Sequence, residues 1–244
     1  MGNFNEEKKR NSFEMKINHS LHHFTHTAVE VKEALAEGNC EKAIQCLMPP
    51  DQLVYNKRKS EIGFDFYAMW SYRFLFGIWA LPPTFAQLQR LCQFIGDGLC
   101  LEIGAGRGAH TALLRAAGCR AIATDAEVCT GVAVSVHPDM EHFLYGEVQS
   151  MTASRALETY GAEADALLVV WSLQSPSASD LSHFKGSKAI VIGEYDGCTD
   201  AGALQPFCDG DVVDEKSEWR RVETWEHPHW DSNHDFCTLL EKVK

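Results

Sequence analysis

The chain has 244 residues, a formal net charge of -12 at pH 7 and an isoelectric point near 5.3. This length allows one domain, or one domain with an appendage. The acidic balance disfavours nucleic acid as a partner and favours a small-molecule or protein substrate. Nine cysteines without a CxxC pair, and a charged start that lacks the apolar core of a secretory signal, predict a cytoplasmic protein with reduced thiols.

The first third of the chain predicts helices. Residues 27–47 have apolar positions at helical spacing, and Gly38 divides them into two short helices. Residues 64–81 are rich in aromatics but contain two charged side chains, which predicts a buried helix or helix pair over a sheet rather than a membrane span. A further helix is predicted at 83–95. Four histidines near the start favour a solvated helix face over a metal site: His19, His22, His23 and His26.

Residues 99–125 read as a strand, a glycine turn, a helix and a second strand that ends in a carboxylate. The glycines stand at alternate positions directly after the apolar strand, and Asp125 follows them by about 20 residues. Glycine is required where the backbone takes a positive φ or must approach a ligand closely. The stretch therefore predicts a nucleotide-binding unit in which Asp125 binds a ribose diol, with the turn formed by Gly104, Ala105, Gly106 and Gly108.

Two kinds of cofactor fit this turn, because Gly104, Gly106 and Ala109 also satisfy the looser dinucleotide pattern. Glu102 favours a cofactor with a cationic amino group, since a carboxylate repels a pyrophosphate. The run EIGAGRG at 102–108 resembles motif I of the class I S-adenosyl-L-methionine-dependent methyltransferases, and Asp125 matches their ribose-binding acid. The resemblance implies S-adenosyl-L-methionine as the cofactor.

The remaining elements extend this unit into a larger sheet. Strands are predicted at 143–145, 166–171 and 188–194, and a closing antiparallel pair at 219–225 and 236–243. The predicted fold class is α/β, a Rossmann-like seven-stranded methyltransferase sheet with an N-terminal helical extension. The resemblance places Glu147, after the third strand, at the adenine amino group, and Trp171 beside the end of the first strand. The predicted domains are 1–95, a helical extension or cap, and 96–244, the methyltransferase domain.

A closer resemblance, covering about residues 73–242, links the chain to methyltransferase-like proteins whose substrate is not established. It rests on the WALP segment at Trp79, on LEIGAG, and on the tryptophan after the fourth strand. The chain departs from that group at Ser172, where a proline is common, and around His110, where an aromatic residue is common. These changes are easier to reconcile with binding of the same cofactor than with action on the same substrate as that group.

Methyl transfer requires a nucleophile held in line with the sulfonium and often a base that removes its proton. The tetrapeptide Asn/Asp-Pro-Pro-Tyr/Phe is not present after the fourth strand, which disfavours a planar exocyclic amine as acceptor. A metal site built from His227, His229, His234 and Cys237 is disfavoured because their spacing matches no closed zinc site. The candidate bases lie on loops expected at the carboxyl edge of the sheet: Glu194, Asp196, His234 and Asp235.

The sequence thus predicts an S-adenosyl-L-methionine-dependent methyltransferase that acts on a small-molecule or protein acceptor, without a metal and without membrane association. Two alternatives stay open. One is a methyltransferase-fold binding or scaffold protein without turnover, suggested by the missing tetrapeptide. The other is an NAD(P)-binding oxidoreductase, suggested by the dinucleotide reading of the glycines.

Overall fold

The computed structural model describes residues 27–49, 77–126, 144–171, 176–194, 207, 218–230 and 233–243. The four amino-terminal histidines, most of the aromatic segment at 64–81, Ser172 and Asp196 lie outside these ranges. Within them, no helix combines the length and apolar character needed to cross a membrane.

A mixed sheet of seven strands forms the centre of the molecule. The strands, in chain order, are β1 (Leu99–Ile103), β2 (Arg120–Asp125), β3 (Val148–Ser150), β4 (Ala166–Val170), β5 (Lys188–Glu194), β6 (Trp219–Glu226) and β7 (Asp235–Lys242). Their order in the sheet is β3-β2-β1-β4-β5-β7-β6. The first five strands run parallel, and β7 lies antiparallel to both β5 and β6. The predicted seven-stranded sheet with its closing antiparallel pair is therefore confirmed.

Side chains at the amino ends of two helices satisfy free backbone N–H groups. Asn39 accepts a hydrogen bond from the Lys42 N–H, and Thr84 and Gln87 form a reciprocal capping box. The third helix therefore starts two residues later than predicted from Pro83. The helices are α1 (27–36), α2 (Cys40–Leu47), α3 (Phe85–Ile95), α4 (Ala109–Ala116), α5 (Ala153–Tyr160) and α6 (Ala178–Leu181).

Alternate side chains of the strands fill two separate cores, one on each face of the sheet. On the first face, Cys100, Leu168 and Ile190 pack in one cluster with residues of α1 to α4. On the second face, Leu101 and Leu167 pack with residues of α5 and with aromatic side chains. The helices before residue 96 thus share a core with the sheet, and the domain boundary at 95/96 stays a prediction.

Two local predictions differ from the structure. The third strand is Val148–Ser150, not 143–145. The Tyr145 N–H donates to the Arg107 carbonyl (3.0 Å), so it takes no part in the ladder with β2. The described end of the aromatic segment, residues 77–81, is irregular rather than helical, and Gly77 has a φ of +59°. Both stretches are shaped by contacts with the glycine turn, which local composition does not encode.

Candidate cofactor and acceptor site

The glycine turn after β1 adopts a backbone that only glycine takes without strain. Gly104, Gly106 and Gly108 have φ values of +68°, +55° and +77°. A Cβ on Gly108 would lie 2.7 Å from Cγ2 of Val148, so this position also lacks space for a side chain. Gly104 is exposed, whereas Gly108 is buried under β3. The turn therefore presents its open backbone at the Gly104 end.

Asp125 closes the turn from the neighbouring strand. The Gly106 N–H donates to Oδ2 of Asp125 at 2.7 Å, and the Ala105 N–H donates to the Thr124 carbonyl at 3.0 Å. Asp125 is half-buried at the carboxyl end of β2, directly beside the turn. The sequence prediction that the glycines and this carboxylate converge is therefore met by the geometry, while a contact with ribose stays a proposal.

Glu102 lies beneath the turn and contacts the start of α4. Only 1% of the residue is exposed. Its Oε2 accepts hydrogen bonds from the N–H of Thr111, at 3.0 Å, and from the Thr111 hydroxyl. Burial raises the pKa of Glu102 to about 7, although both hydrogen bonds act in the opposite direction. Glu102 therefore stabilises the amino terminus of α4, a role that the sequence did not reveal.

Glu147 lies away from the edge where its predicted role would place it. It precedes β3, and β3 pairs in parallel with β2 so that Ser150 lies opposite Asp125. Its carbonyl accepts a hydrogen bond from Arg115 at the last turn of α4 (3.1 Å). The prediction that Glu147 follows the third strand was wrong, because the strand starts later than expected. Glu147 therefore lies at the amino end of β3.

Trp171 marks the carboxyl end of β4. Its φ is +46°, in a region that non-glycine residues rarely adopt and that is typical of functional sites. The indole is buried, and its Nε1 donates to Oδ1 of Asp235 at 2.7 Å. The ring lies nearly parallel to that of Trp79, with centroids 6.4 Å apart. Trp171 thus connects β4 to β7 at the point where the strand order reverses.

Three of the four predicted bases meet at this same edge. Glu194 at the end of β5 lies opposite Asp235 in the antiparallel register, and its Oε1 accepts a hydrogen bond from the His234 N–H at 3.0 Å. Glu194 is half-buried and His234 is exposed, whereas Asp235 is fully buried. Asp196, the fourth predicted base, lies outside the described residues.

Residues 77–81, called the strap below, connect the glycine turn to the loop between β6 and β7. The Trp230 Nε1 donates to the Trp79 carbonyl at 2.9 Å. The His227 Nε2 donates to the Leu81 carbonyl at 2.7 Å, because a carbonyl can only accept. A Cβ on Gly77 would collide with the buried Arg107 side chain of the turn. The sequence predicted a buried helix or helix pair over the sheet for this segment and none of these hydrogen bonds.

Two buried histidines flank the strap and stay neutral. Burial lowers the pKa of His227 to about 3 and that of His110 to about 4. Their ring centroids are 6.5 Å apart. Among the residues that the structure describes, Nδ1 of His227 and Nε2 of His110 have no hydrogen-bond partner. Across the same part of the chain, no group of three side chains is arranged to hold a metal ion, including those around His229 and Cys237.

Comparison with known proteins gives structural similarity alone. No protein-family model and no curated protein sequence matches the chain. A 1,6-didemethyltoxoflavin-N1-methyltransferase from Burkholderia thailandensis shares 15% identity over 66% of this chain and 78% of that protein, with a TM-score of 0.44. Magnesium protoporphyrin IX methyltransferase from Synechocystis shares 14% identity over 65% and 76%, with a TM-score of 0.43.

A geranyl diphosphate C-methyltransferase from Streptomyces coelicolor shares 12% identity over 65% of this chain and 76% of that protein, with a TM-score of 0.40. The strand order and the antiparallel closing pair of the present sheet decide the fold independently of these low scores. The chain has the class I methyltransferase fold. In that fold, the glycine turn, Asp125, Trp171 and Glu194 all lie at the carboxyl edge of the parallel strands.

Proposed function

We propose that this chain is an S-adenosyl-L-methionine-dependent methyltransferase that acts on a small-molecule or protein acceptor. One observation carries the proposal: the Gly106 N–H donates to the Asp125 carboxylate at 2.7 Å, beside an exposed Gly104. This arrangement joins an open backbone to a carboxylate at the edge where α/β sheets bind nucleotide ligands. Glu102 lies directly below and adds negative charge when ionised.

The residues of the turn fit the cofactor by shape and by charge. Asp125 would hold the ribose hydroxyls, and the backbone of 104–106 would lie against the cofactor without a side chain between them. S-adenosylmethionine supplies an electrophilic methyl group on a sulfonium. An ionised Glu102 favours a nearby ammonium and disfavours a pyrophosphate, which supports this cofactor over a dinucleotide.

The acceptor side is formed by the ends of β5 and β7. Glu194 and His234 have exposed surface, and we assign them the contact with the acceptor or the removal of its proton. Asp235 is fully buried, so we assign it a positioning role: it holds the Trp171 indole through the 2.7 Å hydrogen bond. Transfer to oxygen, sulfur or a non-planar nitrogen is consistent with these residues.

The test of turnover is transfer of a labelled methyl group from S-adenosylmethionine to fractions of a native cell extract. We expect one fraction to be labelled by the wild type, and labelling to fall at least tenfold with Glu194→Gln. Glu163→Gln, an exposed glutamate outside the site, is the matched control and should label like the wild type. Equal labelling by Glu194→Gln would remove Glu194 from the reaction.

A second candidate function is cofactor binding without turnover. It is favoured by the burial of both Trp171 and Asp235 at the edge where an acceptor would enter. This candidate predicts that S-adenosylmethionine binds but that no extract fraction accepts the label. Labelled product from any fraction excludes it. NADH fluorescence in the same preparation tests the oxidoreductase alternative, which requires a change on adding the protein.

A further inference from the structure

The first residue of the strap lies against the glycine turn. A Cβ on Gly106 would point toward the strap and lie 3.6 Å from the carbonyl oxygen of Gly77. The space beside the Gly106 backbone is therefore bounded by the backbone of Gly77. A ligand on the open side of the turn would contact both segments, because neither glycine has a side chain that would keep it away.

Close packing holds the strap at this distance from the turn. Gly77 has a φ of +59°, and a Cβ there would lie 2.4 Å from Cδ and 2.8 Å from Nε of Arg107. Arg107 belongs to the glycine turn, and only 7% of the residue is exposed. A side chain at Gly77 would therefore strain the backbone and push the strap off the turn. Glycine at this position sets how closely the strap approaches.

Two hydrogen bonds hold the other end of the strap to the loop after β6. The Trp230 Nε1 donates to the Trp79 carbonyl at 2.9 Å. The His227 Nε2 donates to the Leu81 carbonyl at 2.7 Å. Both donors are buried, with 0% and 1% of the residue exposed. The path of the strap, and with it the position of the Gly77 carbonyl, thus depends on residues on the acceptor side of the site.

The chemistry of this space matches an amino-acid group. A carbonyl can only accept a hydrogen bond, so the Gly77 oxygen needs a donor. The side chain of Arg107 lies beside Gly77, and its positive charge favours a negative group next to that donor. The amino-acid end of S-adenosylmethionine carries both an ammonium donor and a carboxylate. The ribose hydroxyls are its other donors near the turn, and these are already assigned to Asp125.

We propose that the strap forms a wall of the cofactor site, where the Gly77 carbonyl accepts a hydrogen bond from the ammonium group of S-adenosylmethionine. This role rests on the proposed function and adds residues outside the glycine turn to the same site. Trp230 and His227 are positioning residues, because they act through the strap and not on the cofactor. Displacement of the strap should therefore weaken the binding of the amino-acid end of the cofactor and spare its adenosine end.

Calorimetric titration of the full-length protein with two ligands tests this role. S-adenosylhomocysteine has the amino-acid group, whereas 5′-methylthioadenosine has the same adenosine and sulfur without it. Gly77→Ala moves the strap off the turn, so it should weaken the binding of S-adenosylhomocysteine by roughly tenfold or more. The binding of 5′-methylthioadenosine should weaken by less than about threefold.

Gly38→Ala is the matched control, because it introduces the same kind of backbone strain away from the site. Gly38 has a φ of +70°, and a Cβ there would lie 3.6 Å from the Ala116 carbonyl at the end of α4. Gly38→Ala should bind both ligands like the wild type.

Trp230→Phe tests the positioning role without changing the strap itself. The Trp79 carbonyl would lose this donor, so the strap would spend more time away from the turn. The binding of S-adenosylhomocysteine should weaken roughly 3–10-fold, with that of 5′-methylthioadenosine unchanged. Trp225→Phe removes an indole N–H that has no hydrogen-bond partner in the described part of the chain, and it should bind both ligands like the wild type.

Hydrogen exchange of the wild type gives a measurement that does not depend on folding of a variant. Saturating S-adenosylhomocysteine should slow the exchange of the amide hydrogens of the strap. Unchanged exchange there with the ligand bound would overturn the proposal, as would equal losses of both ligands, or no loss of either, in Gly77→Ala and Trp230→Phe. Absence of S-adenosylhomocysteine binding to the wild type would instead refute the proposed function, and the role of the strap with it.

Discussion

Glu102 shows how one buried side chain contributes to the fold around the glycine turn. Its carboxylate is held by Thr111 at the start of α4 and lies below the glycine turn. The raised pKa, about 7, means that the folded protein retains a proton that the unfolded chain releases near its ordinary value of 4.5. A bound cationic group would favour the ionised form of Glu102 and offset part of this burial cost.

The stability of the ligand-free protein should therefore fall as pH rises from about 4.5 to 7, by about 3 kcal/mol from Glu102 alone. The sign follows because the folded state binds more protons than the unfolded state in that window. Glu102→Gln keeps an oxygen acceptor for Thr111 but does not titrate, so it should remove this contribution. Urea unfolding of both proteins at pH 5, 6, 7 and 8 measures the difference.

Glu163→Gln, an exposed position, should follow the wild-type curve at each pH. Identical pH dependence in Glu102→Gln and the wild type would show that the Glu102 carboxylate does not titrate in this window.

At the same scale, Asp125→Asn should weaken the binding of S-adenosylmethionine roughly 10–100-fold. The reason is that a charged hydrogen bond to a ribose hydroxyl would become a neutral one. The asparagine oxygen can still accept from the Gly106 N–H, so the turn should be retained. Calorimetric titration measures the affinity, and an unchanged melting temperature is the control. Unaltered affinity would place the ribose elsewhere.

At the scale of elements, the strap depends on long-range hydrogen bonds. Trp230 is fully buried and donates to the Trp79 carbonyl. Trp230→Phe should lower the free energy of unfolding by about 1–3 kcal/mol, since it leaves that carbonyl without this donor. Urea unfolding at pH 7 measures the loss.

Trp225→Phe is the matched control for this prediction. The Trp225 Nε1 is buried without a hydrogen-bond partner among the described residues, so its removal leaves no acceptor unpaired. Trp225→Phe should be neutral or stabilising by up to about 1 kcal/mol. Equal losses in the two variants would mean that ring packing, not the hydrogen bond, holds the strap.

The elements also show what the sequence can predict. The prediction of 188–194 matches β5, and the glycine turn with its helix is confirmed, because both are set by local composition and backbone geometry. The predicted start of β3 was wrong, and Glu147 was misplaced with it, because that strand is defined by its pairing with β2 and by the proximity of Val148 to Gly108. The contact of Glu102 with Thr111 and those of the strap are tertiary, so no local pattern encodes them.

At the scale of the whole molecule, the helices before residue 96 cover one face of the sheet. Val31, Leu47 and Leu91 share a core with Leu168 and Ile190 of the central strands. A chain of residues 96–244 alone should therefore fail to fold, because this apolar face would be exposed to water. Circular dichroism and thermal unfolding would show a flat or broad transition.

A chain of residues 27–244 is the control, because it keeps all the helices of that core. It should unfold cooperatively, like the full chain. A sharp transition in residues 96–244 would instead establish the predicted boundary at 95/96 as the edge of an independent domain.

The central claim is that the glycine turn binds S-adenosylmethionine, and calorimetric titration of the full chain tests it most directly. The wild type should bind S-adenosylmethionine and S-adenosylhomocysteine, whereas Gly106→Arg should bind neither. An arginine side chain at this position would occupy the side of the turn where the ligand is proposed to lie, next to the Gly77 carbonyl of the strap. Gly118→Asn, another glycine with positive φ but at the opposite edge, should bind like the wild type. Absence of binding by the wild type at millimolar ligand, or equal binding by Gly106→Arg, would contradict the account.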